Sequence, residues 1–333
     1  MTLARNATVV AALGALALSG CSAAADKQDA TGEVSLTNCG EQASFPSPAE
    51  RLFVNDSNLI SMVLALGAED RVAAVSSLER DQEVLTEHYG PAVEELPQVS
   101  DDYPSLETVL AQRPDVMVAG WSYGYDEAKH LTPDSLETHV IGAYVLTESC
   151  RQGRGSARGV VDPWTALRED LANLGRITGH TEEADDVTAD LDTRLDALAE
   201  APTAARPPVL FVFDSGEKAI FTSGAFGAPQ AIIEAAGGRN AVADLKDTWT
   251  EVSWERLAGA RPDAFLFVDY PGQTYEQKLA VLRAHPATRE LPAVKQERFL
   301  NLPYAMWTSG PLNIDAAEQV RASLEEWELV PGR

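Results

Sequence analysis

Basic side chains are in short supply in this sequence: 26 Lys and Arg stand against 51 Asp and Glu, a formal net charge of −25. A surface of that sign repels phosphate backbones and anionic headgroups, so nucleic acid is excluded as a partner. An anionic ligand would have to be held by local arginines or by helix N-termini. Histidine is sparse too, with five residues at 88, 130, 139, 180 and 285. No two of them lie at ligand spacing, which disfavours direct capture of a bare metal ion. There is no Gly-x-Ser-x-Gly, no Walker loop, no His-Glu-x-x-His and no Cys-x-x-Cys. The glycine-bearing loop at residues 222–227 lacks an associated base, so neither an enzyme nor a cofactor is expected.

Cysteine occurs three times. Residues 1–20 hold one basic side chain, Arg5, then an apolar run over residues 7–18, then Leu18-Ser19-Gly20-Cys21. The run is too short for a comfortable membrane span, and the small residues before Cys21 fit a cleavage site, as in a bacterial lipoprotein signal. Residues 1–20 are therefore expected to be removed, lipid on Cys21 to anchor the chain to the extracytoplasmic face of the cell membrane, and residues 21–44 to form a tether. Without Arg5 the charge becomes 25 basic against 51 acidic residues, or −26. Cys39 and Cys150 then lie where disulfides persist. They are expected to pair and to staple the first half, because neither has a His or Cys at metal-ligand spacing.

The one long helical signal runs over residues 162–200. Asp162 suits an N-cap, Pro163 the first turn, and Trp164, Leu167, Leu171 and Leu174 fall at helical spacing until Gly179. A second helix restarts at Thr181 with Ala184, Val187, Leu191, Leu195 and Leu198 on one stripe. On either side, apolar strands alternate with helices, which predicts parallel sheets. Strands are expected at 51–54, 71–76, 115–119 and 139–146 in one half, and at 208–213, 264–269 and 298–302 in the other. The fold class is α/β, with a first lobe over 45–160, a helical connector over 161–200 and a second lobe over 201–333. The second helix alone is expected to bridge the lobes.

Two segments align without a gap, 105–115 (SLETVLAQRPD) and 253–263 (SWERLAGARPD). Ser, Glu, Arg, Pro and Asp recur at five of eleven positions, each pair 148 residues apart, as 255 less 107 shows. Capping and strand initiation account for Ser and Pro-Asp. They do not demand Glu107 and Glu255, which are expected as matched acidic knobs, one per lobe, for a two-subunit basic partner.

The lipobox at Cys21, Leu64-Ala65-Leu66-Gly67 with Arg71-Val72, the block from Tyr103-Pro104-Ser105 to Pro114-Asp115, Gly175-Arg176-Ile177, Ala235-Ala236-Gly237-Gly238 with Asn240, and Val252-Ser253-Trp254-Glu255 occur in one order. From about Phe45 to Trp327 the chain resembles the substrate-binding proteins of ABC importers for iron-siderophores, haem and vitamin B12. That resemblance implies two Rossmann-like lobes joined by a single long helix, a ligand in the cleft, and Glu107 and Glu255 docking on arginines of the permease membrane subunits. Ligands of open parallel sheets sit beyond the carboxyl ends of strands. Trp121, Tyr123, Phe221, Phe226, Tyr270, Tyr304 and Trp307 fall on such loops, Arg80 is the local cation, and the Asn55-Asp56-Ser57 helix start supplies donors. A ferric siderophore or similar bulky chelate is the expected ligand, bound by a monomer. Haem, cobalamin or a metal ion are alternatives, and a hydrolase or a ligand-free scaffold are weaker ones.

Overall fold

The computed structural model describes residues 32–332. The signal segment, Cys21 and the tether up to residue 31 lie outside the described residues. Residues 32–44, expected as tether, are instead most of an antiparallel hairpin, β1 (Gly32–Asn38) and β2 (Glu41–Ser47). Its turn is Cys39-Gly40, both at positive φ (51° and 81°), the backbone a tight hairpin favours. Leu36 and Phe45 are buried on the inward face. The hairpin is fastened to the first lobe by the Cys39–Cys150 disulfide and by Asn38, whose amide donates to Val145 O (2.7 Å) and accepts from Val145 N (2.8 Å). Only two inward apolar side chains per strand mark this hairpin, too faint a period-two signal to separate from a tether.

Then follow β3 (Leu52–Asn55), α1 (Ser57–Ala65), β4 (Val72–Ser76), α2 (Gln82–Tyr89), β5 (Gln98–Ser100), α3 (Leu106–Gln112), β6 (Val116–Trp121), the short β7 (Gly124–Tyr125), α4 (Pro133–Glu137) and β8 (Gly142–Val145). The main strands form a parallel sheet in the order β5-β4-β3-β6-β8. The last strand begins later than expected, because Val140 has φ 59° and turns outward into solvent. The connector is two helices, α5 (Pro163–Thr178) and α6 (Thr181–Ala199). Asp162 caps the first by accepting from Thr165 N (3.0 Å), and Gly179 at φ 84° ends it.

The second half comprises β9 (Val209–Phe213), β10 (Ser215–Gly216), β11 (Ile220–Ser223), α7 (Ala228–Ala235), β12 (Arg239–Asn240), β13 (Trp249–Val252), α8 (Trp254–Ala260), β14 (Ala264–Asp269), α9 (Tyr275–Ala284), α10 (Pro292–Lys295), β15 (Phe299–Pro303) and α11 (Asn313–Glu326). A parallel sheet has the order β12-β9-β14-β15. All of β9 and most of β14 are buried, as their unbroken apolar runs require of strands covered on both faces. A second, antiparallel sheet, β10-β11-β13, takes in Phe221–Ser223, which were expected in a loop. α5 packs on α1 and the hairpin and also on α7, while α6 packs on α1, α7 and α11. Both connector helices therefore touch both halves. The buried face of α5 is wider than one stripe, and that width is what lets it serve two neighbours.

The repeated segments fold alike. Ser105 and Ser253 cap α3 and α8 by accepting from Thr108 N and Arg256 N, each at 3.2 Å. Arg113 and Arg261 close the same helices in the left-handed region, at φ 48° and 49°. Asp115 accepts from Glu50 N (3.0 Å) ahead of β3, and Asp263 from Val209 N (2.8 Å) at the start of β9, so each ties its strand to the neighbouring one. Ser, Arg and Asp thus recur for structural reasons, and Pro114 and Pro262 lie between the helix end and the strand that follows.

Candidate ligand-binding cleft

The carboxyl ends of β3, β4, β6, β9, β14 and β15 converge between the two parallel sheets, and their loops carry the site. A cavity of about 170 Å³ is lined there by Tyr103, Tyr123, Phe221, Trp249, Tyr270 and Tyr304, with Arg158 and Asp214 between them. Residues from both halves contribute. Phe221 and Trp249 stack with ring centroids 5.9 Å apart on the antiparallel sheet, which forms one wall.

At one edge lies a buried polar cluster. Asp56, at φ 80°, follows β3 and caps α1 by accepting from Ser57 N (3.0 Å). Its carboxylate also takes the Arg80 guanidinium, the Tyr103 hydroxyl (2.7 Å) and the Tyr304 hydroxyl (2.9 Å). Arg80 lies against the rings of Tyr304 (4.7 Å), Tyr270 (5.1 Å) and Tyr103 (5.8 Å). Burial works to lower the Arg80 pKa, but Asp56 and the tyrosines outweigh it and hold it above the ordinary value. Burial likewise pushes Asp81 up to about 6, against donors from Ser57 and Ala305 N (3.1 Å). Tyr304 and Ala305 belong to the second half and Asp56 and Asp81 to the first, so this cluster also laces the halves together.

A second lace lies at the opposite edge. Glu148, beyond β8, is buried and accepts from Ala228 N (3.2 Å), the first residue of α7, where the helix dipole favours a carboxylate. The Tyr123 hydroxyl is 3.4 Å away on the other oxygen. Desolvation nonetheless pushes Glu148 up to about 8, with Arg158 and the Ala228 amide opposing it. A carboxyl whose folded pKa lies above its ordinary value of 4.5 binds a proton that the unfolded chain releases. Its stabilising contribution is therefore complete below that ordinary value and is lost as pH rises to about 8. Glu148→Gln, neutral at every pH, is expected to flatten the fall in stability between pH 5 and 8 by about 1 kcal/mol per pH unit. Urea midpoints at three pH values would show it, and parallel slopes for the two proteins would refute the assignment.

Of the residues singled out from the sequence, Tyr123, Phe221, Tyr270 and Tyr304 come together on the cavity, with Asp56 and Arg80 at its edge. Others do not. Asn55 is fully buried, donating to Tyr123 O (2.7 Å) and accepting from Ser76 Oγ (2.9 Å), and so shapes the loop rather than facing a ligand. Ser57 is spent on Asp81. Trp307 is a core residue whose indole donates to Phe267 O (3.0 Å). Phe226 packs under Gly159, where an added Cβ would fall 2.1 Å from its own Cβ. Trp121 lies outside the cavity, with the Arg151 guanidinium 3.6 Å from its ring centroid. Arg80 is no free cation, since Asp56 neutralises it. Tyr103, Arg158, Asp214 and Trp249 were missed as site residues. Asp214 directly follows the strand expected at 208–213, which was the available signal.

Glu107 and Glu255 are exposed, each in the first turn of a seven-residue helix. Each is held below the usual carboxylate range by its own backbone N–H and by the N-cap serine.

The family model described as "Periplasmic binding protein" matches residues 55–305. The chain belongs to that family. Its members are extracytoplasmic solute-binding proteins, and this one has the α/β fold with parallel sheets expected of it. In sequence it is similar to a protein named cobalamin-binding protein from Halobacterium salinarum, 27% identical over 228 residues, which is 66% of this chain and 54% of that protein. The chain thus spans about half the length of that relative. In structure this periplasmic binding protein is similar to one from Veillonella parvula (TM-score 0.74, 20% identity, 88% of this chain and 98% of the other). It is also similar to a protein described as an ABC-type Fe3+-hydroxamate transport system from Saccharomonospora viridis (TM-score 0.71, 22% identity, 87% and 98%). Among the described residues no helix is long and apolar enough to cross a membrane.

Proposed function

We propose that the protein is a receptor, anchored by lipid on Cys21, that captures a ferric siderophore-type chelate and delivers it to an ABC importer through Glu107 and Glu255. The observation that carries this reading is the aromatic-walled cavity at the strand ends, lined from both halves. Six aromatic rings suit a bulky, partly apolar ligand with flat faces. The function is capture and hand-over, with no covalent step.

At about 170 Å³ the cavity is smaller than the roughly 300–1,000 Å³ usual for ligand sites. A chelate therefore enters when the halves part, which requires the Tyr304–Asp56 and Ala228–Glu148 contacts to give way. The small volume favours a compact ferric chelate over a corrin. A corrinoid is the second reading, favoured by the name of the Halobacterium relative.

Titration with ferric siderophores, haemin and cyanocobalamin, read by tryptophan fluorescence and native mass spectrometry, tests the proposal. Saturable quenching by one chelate class is expected, because Trp249 lies in the cavity wall. Failure of every chelate to bind would sink it.

A further inference from the structure

Two residues that line the cavity each carry a buried polar atom without a hydrogen-bond partner among the described residues: Asp214 its Oδ1, an acceptor, and Trp249 its Nε1, a donor. Asp214 follows β9 and Trp249 opens β13, so both stand on the antiparallel wall contributed by the second half. Leaving such groups unpaired costs about 1–3 kcal/mol each, and more for a charge, so a ligand that pairs them gains what one lacking those groups forfeits. Among the described residues Asp214 has no ion-pair partner within contact distance. Lys278 acts on it only through space, while its ammonium donates to Val268 O.

The opposite charge on the lining is already committed. Among the described residues Arg158 is the only arginine or lysine lining the cavity, and it donates to Trp121 O (3.2 Å) and Trp249 O (3.4 Å) and faces Asp247 at 4.0 Å. Arg80, beneath the cavity edge, is bound to Asp56. Among the described residues the lining therefore carries one carboxylate without an ion pair, and a guanidinium whose N–H groups are already turned to backbone carbonyls.

We propose that Asp214 and Trp249 select the chelate by chemical class: a neutral or cationic ligand that brings an N–H donor to Asp214 and an acceptor oxygen to Trp249, as amide- or amine-bearing chelates do. Polyanionic chelates and the carboxylates of a porphyrin meet the Asp214 charge, while the N–H groups of Arg158 that could hold them are engaged by Trp121 O and Trp249 O. This deepens the receptor reading and rests on it.

The test compares the wild-type chain with Asp214→Ala, Asp214→Asn and Trp249→Phe against four probes: a cationic ferric trihydroxamate bearing a free amine, cyanocobalamin, a ferric tris-catecholate and haemin. Wild type is expected to bind one of the first two and neither of the last two. Asp214→Ala should weaken that binding about 10- to 100-fold, and Trp249→Phe, which keeps an aromatic ring but loses the indole N–H with the second ring, about 2- to 10-fold. Asp214→Asn keeps an acceptor oxygen and the shape, so it should retain a neutral probe better than Asp214→Ala does. Circular dichroism shows that each variant is folded, and the two conservative variants carry the test if Asp214→Ala is not. Binding that is unchanged in all three variants, or wild-type preference for the catecholate or haemin, would overturn this inference and leave the receptor reading standing. Binding of none of the four by wild type would overturn both.

Discussion

Glu107→Ala combined with Glu255→Ala is expected to abolish uptake while leaving affinity for the chelate unchanged. The two side chains are exposed and equivalent in sequence, helix position and environment. Of the five recurring residues in their segments, the serines cap helices, the arginines end them, the prolines lie between helix end and strand and the aspartates tie neighbouring strands. The glutamates alone make no contact that the fold needs beyond their own helix start. Both are held below the usual carboxylate range by the first-turn amide and the serine hydroxyl, so both are ionised at neutral pH. On a chain of net charge −25, they are two fixed points that a pair of basic subunits can read. Losing one partner of an interfacial charge pair costs roughly 2–5 kcal/mol, so the single variants should be impaired and the double one inactive. Uptake of labelled chelate by cells, beside titration of the purified variants, separates docking from binding. Wild-type uptake by the double variant would remove the docking role.

Asp56→Ala should destabilise the folded chain by roughly 3 kcal/mol, because it takes the nearest counter-charge from a largely buried guanidinium and leaves Arg80 only Asp81 at 3.6 Å. Asp56 is fully buried and meets Arg80, two tyrosine hydroxyls and a backbone amide, so one truncation leaves four donors without their acceptor. Tyr304→Phe removes one of those bonds and should cost only about 1 kcal/mol. Urea unfolding followed by tryptophan fluorescence measures both. A loss for Asp56→Ala no larger than that for Tyr304→Phe would show that Arg80 does not depend on Asp56.

Much of this was legible in the chain. Periodicity located the longer strands of both parallel sheets and the two connector helices, because burial on one or two faces writes a period of 3.6 or an unbroken run into the sequence, whereas β5 and β12, of three and two residues, are too short to carry a pattern. The hairpin β1-β2 and the sheet β10-β11-β13 escaped that reading. The strands of that sheet are as short as two residues, the seven-residue strands of the hairpin alternate only faintly, and both owe their place to what they pack against, a disulfide and the flank of a neighbouring sheet. The break at Gly179 was readable, since only a residue at ease with positive φ ends a helix that way. That α5 touches both halves was not, because a stripe tells how much is buried and says nothing of which neighbour buries it.

For the cleft, the sequence by itself determined which loops converge, since the carboxyl ends of parallel strands must share one side of a sheet. It also determined the aromatic stock of those loops and the two matched glutamates. Only the tertiary structure decided which aromatics face inward: Tyr304 and Trp307 are three positions apart, yet one lines the cavity and the other fills the core. Only it paired Arg80 with Asp56 and left Asp214 and Trp249 unpaired on the wall. Those outcomes depend on contacts between residues far apart in the chain, such as Asp56 with Tyr304 across 248 positions, and no local pattern encodes them.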